Sequence, residues 1–179
     1  MSIAAWDARV PWSRFVEQAS VHANPFRDAV APGAVVFWPG PHGRVWLVLN
    51  GQSWFSVDQG AGIVFNRATA IEYAMRKFAS GELQSAIENC AMAGQPACRI
   101  DARPARELCE RRDAPDYLVL NARIEGHAAI EWRLPPEIGP GRQSLFLYPC
   151  KALAGSKKAG ARAASFISHL FSYTDRQRV

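Results

Sequence analysis

The chain lacks any run of about 18 consecutive apolar residues, the least that carries a helix across a bilayer. It also lacks a basic-then-apolar leader, because Asp7, Arg9 and Pro11 interrupt the stretch from Met1 to Trp12. Both absences point away from a membrane and toward a cytoplasmic protein. The four cysteines (Cys90, Cys98, Cys109 and Cys150) form no CxxC and no Cys/His pairing of the kind a zinc site or redox pair uses. In a reducing cytoplasm they are expected to be ordinary buried thiols. His22, His42 and His169 share no metal-ligand spacing, and no GxGxxG, nucleophile elbow or Ser-His-Asp order occurs.

What is present suits one compact domain. The 179 residues include six Trp and nine Phe, enough to build a proper core. Charge is distributed unevenly. From Cys150 to Val179 there are six basic side chains (Lys151, Lys157, Lys158, Arg162, Arg176 and Arg178) against Asp175 alone, while the preceding 149 residues hold fifteen basic and fifteen acidic ones. A neutral body with a basic end meets a polyanion at that end first. Nucleic acid, or a nucleotide phosphate, is therefore the first partner to consider, although a charged terminal segment also serves solubility alone.

Residues 1–30 read as an N-terminal unit, with a short helix over Trp12 to Ala19 and a loop through Asn24, Pro25 and Phe26. Residues 31–179 read as an α+β domain ending in the basic segment 150–179. It opens with a β-meander: strands at Ala34 to Trp38, Arg44 to Leu49 and Ser53 to Asp58, the last two joined by an Asn50-Gly51 hairpin. Ile63 to Phe65 reads as a further strand. Asn66 caps a helix that reaches Ser80-Gly81, with Ala68, Ile71, Tyr73, Met75 and Phe78 on its apolar face, and a second helix spans Glu82 to Met92. A loop over Ala93 to Ala102 leads to a helix over Pro104 to Arg112.

Alternation then runs from Tyr117 to Leu134 around Glu125-Gly126-His127, the pattern of a hairpin with one apolar face. Its opposite face gathers Asn121, Arg123, Glu131 and Arg133. Ser144 to Tyr148 adds a strand. Ala163, Phe166, Ile167, Leu170 and Phe171 stripe a last helix over Ala161 to Tyr173. The fold class is a single α+β domain with a mixed or antiparallel sheet.

Two constellations have chemical content. Gly155-Ser156-Lys157-Lys158 opens the last helix with glycines, lysines and free N–H groups, a phosphate cradle without Walker A spacing; the same composition also makes a flexible linker. The hairpin face is the second. Asp116 and Glu131, with Arg133 two residues on, weakly resemble the carboxylates and cation of PD-(D/E)xK metal-dependent nucleases. Arg133 stands where a lysine is expected and gives up no proton, so only charge stabilisation is left to it. Cross-strand ion pairs on a solvated sheet give the same residues an ordinary structural reading. Trp12, Trp38, Trp54 and Tyr148 would stack on bases if they lay at the surface.

The β-rich first half, the central helices and the strand Tyr117-Leu-Val-Leu-Asn leading to Glu125-Gly126-His127 resemble the ParB/sulfiredoxin superfamily over residues 34 to 150. With the size and basic end, the resemblance narrows to the plasmid fertility-inhibition factors of the Osa type. It implies a cytoplasmic ParB/sulfiredoxin-like protein with ATPase and DNase activity that blocks DNA transfer by a conjugative or type IV secretion system. Ala128 and Ala129 occupy the turn where arginines are usual, and no cysteine stands at the sulfiredoxin position. By this resemblance Glu131, with Asp116 or Glu125, would activate water, and Glu131 and Asp116 would hold Mg2+. Arg123, Arg133 and Arg142 would steady the phosphates of ATP, and Lys151, Lys157, Lys158 and Arg162 would hold DNA. A non-enzymatic inhibitor that binds a secretion or coupling protein, and a DNA-binding accessory protein, are the alternatives.

Overall fold

The computed structural model describes residues 24–40, 43–62, 66–92, 98–134 and 143–155. Elements follow in the order α1 (Pro25–Ala29), β1 (Val35–Phe37), α2 (Gly43–Leu49), β2 (Gln52–Ser53), a 3-10 turn (Val57–Gly62) and α3 (Arg67–Met92). The second half comprises β3 (Arg99–Ile100), α4 (Ala102–Cys109), β4 (Tyr117–Leu120), β5 (Arg123–Ile124), β6 (Ile130–Arg133), β7 (Ser144–Pro149) and α5 (Cys150–Ala154). The α+β class is as expected. Five strands form one mixed sheet in the order β2-β1-β4-β7-β6, and β3 pairs with β5 in a small second sheet.

Alternation along the central strands divides the core in two. Leu118, Leu120, Phe146 and Tyr148 turn to one face, with Leu83, Ile87, Ala105, Leu108 and Leu153 of α3, α4 and α5. Val119, Leu145 and Leu147 turn to the other, with Phe26, Val45, Val48 and Leu49 of α1 and α2. β4 and β7 are therefore buried on both sides. No helix among the described residues is long and apolar enough to cross a membrane.

Several local expectations are corrected. The Asn24-Pro25 pair starts a helix: the Asn24 side chain accepts from the Phe26 N–H at 3.0 Å and proline stands in the first turn. Phe26 is fully buried and meets Trp132 edge-on at 5.6 Å, so α1 belongs to the domain. Residues 44–49 are helical rather than extended, because Val45, Val48 and Leu49 bury a helix-spaced face while Trp46 and Leu47 remain half exposed. Asn50, at φ 52°, then reverses the chain out of α2. Gly51 is required next, since a Cβ there would sit 2.9 Å from the Ala34 carbonyl. β2 consequently returns parallel to β1 instead of as a hairpin.

Ser80-Gly81 breaks nothing. The buried Ser80 hydroxyl bonds to the Lys77 carbonyl and accepts from Gln84 at 2.6 Å, so α3 continues through it for 26 residues. The hairpin read over Tyr117 to Leu134 does not form either. β4 pairs parallel with β1 and antiparallel with β7, which in turn carries β6. The four cysteines are joined as Cys90–Cys98 and Cys109–Cys150 instead of remaining free thiols. The first disulfide ties the end of α3 to the approach to β3; the second ties α4 to the start of α5. The helices read at 12–19 and 161–173 and the strand at 63–65 lie outside the described residues.

Candidate functional site

Arg123, Glu131 and Arg133 do converge, joined by Ser144. β6 and β7 pair antiparallel with Arg133 opposite Ser144 and Glu131 opposite Phe146. β5 brings Arg123 to the same corner, at the outer edge of the sheet on the side that carries α3 to α5. Glu131 is the hub. One carboxylate oxygen accepts from Arg123 at 2.6 Å; the other accepts from Ser144 at 2.9 Å and from Arg133 at 3.2 Å.

Beneath this cluster the packing is firm. The Arg123 guanidinium lies 4.7 Å from the centre of the Phe146 ring. The Ile124 N–H donates to the buried Tyr148 hydroxyl at 2.8 Å, which fixes β5 and hence Arg123. Burial raises the Tyr148 hydroxyl above its usual range, against the Ile124 hydrogen bond and the Arg123 charge. The Ser144 hydrogen bond, helped by the Arg133 hydrogen bond and the charges of Arg123 and Arg133, holds the Glu131 carboxyl below its usual range in spite of the opposing desolvation.

A carboxylate with three donors and a lowered proton affinity is a poor general base at neutral pH. Asp116 does not join it. Its side chain accepts from the Val35 N–H at 2.9 Å and its backbone N–H donates to the Val35 carbonyl at 2.7 Å, binding β1 to the start of β4. In this register Asp116 and Glu131 are separated by about 13 Å along the strands and by two strand spacings of about 5 Å each. The paired ligands expected for Mg2+ thus fail to meet, and no group of three or more His, Cys, Asp or Glu among the described residues is placed to hold a metal. Glu125 lies exposed in a turn in which Gly126 takes φ 71°, and its backbone N–H donates to the Ile100 carbonyl.

Of the arginines expected to meet ATP, Arg123 and Arg133 both bond to Glu131 with side chains 46% and 83% exposed, and Arg142 lies outside the described residues. Three concavities border α3, and none of their lining residues belongs to this cluster. Lys151 is exposed on α5, at the opposite end of β7 from Ser144. Lys157, Lys158 and Arg162 lie outside the described residues. Trp38, Trp54 and Tyr148 are at most 3% exposed, so none is free to stack on a base; Trp12 lies outside the described residues.

Ser144 is the member that sequence reasoning missed. It shares strand parity with Phe146 and Tyr148, but reaches Glu131 only through a β6–β7 pairing that alternation alone does not reveal.

The lowered Glu131 carboxyl implies a pH dependence. Its interactions stabilise the fold fully above the ordinary glutamate range, and that contribution disappears as pH falls through the lower folded-state value. Glu131→Gln is therefore expected to destabilise by no more than about 1 kcal/mol at neutral pH, as exposed ion pairs do. The gap from wild type should close in acid. Parallel urea titrations at several pH values check this, and a gap that widens in acid contradicts it.

No family model, no curated protein and no solved structure matches the chain.

Proposed function

We propose that the chain inhibits conjugative or type IV secretion DNA transfer by binding DNA without cutting it. The process comes from the resemblance to the fertility-inhibition factors of the ParB/sulfiredoxin superfamily. The mode of action rests on one observation: Glu131 is saturated by Arg123, Arg133 and Ser144 while both guanidinium groups retain solvent-facing surface. Two arginines around one carboxylate make a cationic corner whose permanent charge and fork geometry suit phosphate. The basic end of the chain supplies further counter-charge for the backbone of a nucleic acid. A cytoplasmic site of action is part of the same proposal.

The test is retention and cleavage of labelled single- and double-stranded DNA, with and without magnesium and ATP. Binding without cleavage is expected under every condition. Arg123→Ala with Arg133→Ala should flatten the salt dependence by roughly 1.8 units of log-log slope if both contact duplex phosphates, and Glu131→Gln should tighten binding by releasing both arginines. A magnesium-dependent cleavage that Glu131→Gln abolishes would restore the nuclease reading. Absence of any DNA binding would favour an inhibitor that docks on a secretion or coupling protein.

A further inference from the structure

The first half of α3 presents apolar side chains to solvent. Leu83, Ile87 and Cys90 of its second half are buried on one side of the helix. At about 100° per residue, Ile71 and Phe78 fall toward the opposite side and Met75 on the flank beside them. Ile71, Met75 and Phe78 are 51%, 55% and 90% exposed, so the apolar periodicity of this segment serves something other than the core.

The stripe is complementary to itself. A concavity of about 680 Å3 opens beside it, with Ala68, Ile71 and Met75 on one wall and Arg111 and Arg112 on the other. Phe78 projects two turns further along, a knob about 10 Å from the centre of that hole. An antiparallel second copy, related by a two-fold axis beside Met75, would set each Phe78 over Ile71 of the partner subunit. The two Met75 side chains would then meet on the axis. At each end Arg67 would fall beside Glu82 of the partner subunit, which already pairs with Arg103 of its own chain and would be shared between two cations, an opposite-charge contact that parallel packing does not provide.

We propose that a second copy of this chain docks on α3 in this antiparallel register. A seam of four helical turns falls short of the roughly 1,200 Å2 of a standard interface, so the association belongs in the micromolar range. The dimer would double the cationic corners available to one polyanion, an effect that rests on the DNA-binding proposal; the association itself does not.

Sedimentation of the full chain without reductant, over about 1 to 200 µM to bracket that range, should show a monomer–dimer equilibrium. Phe78→Ser should raise the dissociation constant at least about tenfold, as loss of a central aromatic anchor does. It should leave the melting temperature of dilute protein unchanged, because the ring is exposed. Register is read separately. Met75→Cys should give dimers with a short thiol crosslinker, whereas Arg67→Cys should not, since antiparallel packing separates the two copies of that position by about 22 Å. A monomer at every concentration, a dimer indifferent to Phe78→Ser, or crosslinking through Arg67→Cys would overturn the proposal, whatever the outcome with DNA.

Discussion

Replacing Cys109 and Cys150 together by alanine is expected to lower the melting temperature by roughly 10 °C. The disulfide closes a loop with a sequence separation of 41 residues. Chain entropy assigns such a closure about 4 kcal/mol, and for a chain of this size each kcal/mol moves the midpoint by about 2–4 °C. Both cysteines are buried, at 7% and 5% exposure, and the bond joins the end of α4 to the helix that begins the basic segment. Removing Cys90–Cys98, with a separation of eight, should cost less. Thermal melts with and without reductant, alongside thiol titration of the unfolded chain, make the measurement. An unchanged midpoint on reduction, with four titratable thiols beforehand, would mean that the cysteines act as ordinary core residues. Two disulfides are unusual in the reducing cytoplasm proposed as the site of action. The same titration on protein taken directly from cells therefore bears on where it works.

The reading of the sequence succeeded where a pattern has one structural meaning. Val35 to Phe37, Ser144 to Tyr148 and the helix following Asn66 were legible because strand runs, turn residues and a capping asparagine are local signals. It failed where one pattern has two. Val45, Trp46, Leu47 and Val48 make a short apolar run that suits a buried strand or a short helix alike, and only packing against β1 and β2 decides between them. Asn50-Gly51 supplied a positive φ as expected, but to end a helix. The alternation from Tyr117 to Leu134 identified strands and brought Arg123, Glu131 and Arg133 to one face. It could not reveal that β7 lies between β4 and β6, and that insertion separates Asp116 from Glu131. Side-chain period fixes faces; partner choice depends on contacts distant in sequence. The stripe on α3 was legible as an apolar face, but helical spacing does not report what covers such a face.

Trp54→Ala should cost about 3–5 kcal/mol, the usual loss when a buried large aromatic is truncated. The ring is 1% exposed, meets Phe37 edge-on at 5.8 Å, and has the Arg76 guanidinium 5.4 Å from its centre. Its indole N–H donates to the Asp113 carbonyl at 2.5 Å, and its own carbonyl accepts from Arg76 at 2.8 Å. One residue thus links the sheet, the turn after α4 and the first half of α3. Trp54→Phe keeps most of the apolar volume but loses the indole hydrogen bond, so it should cost only about 1–2 kcal/mol. The damage should also be local. Residues 67–79 of α3 include none that is buried and rest on the sheet side through Tyr73 against Phe55 and Arg76 against Trp54, whereas residues 83–90 are held by the core. Amide exchange should therefore accelerate more in the first half of α3 than in the second, and the dimer should weaken with it. Equal acceleration along the whole helix would show that Trp54 acts only through global stability, and a loss below about 1 kcal/mol would remove it as the anchor of α3.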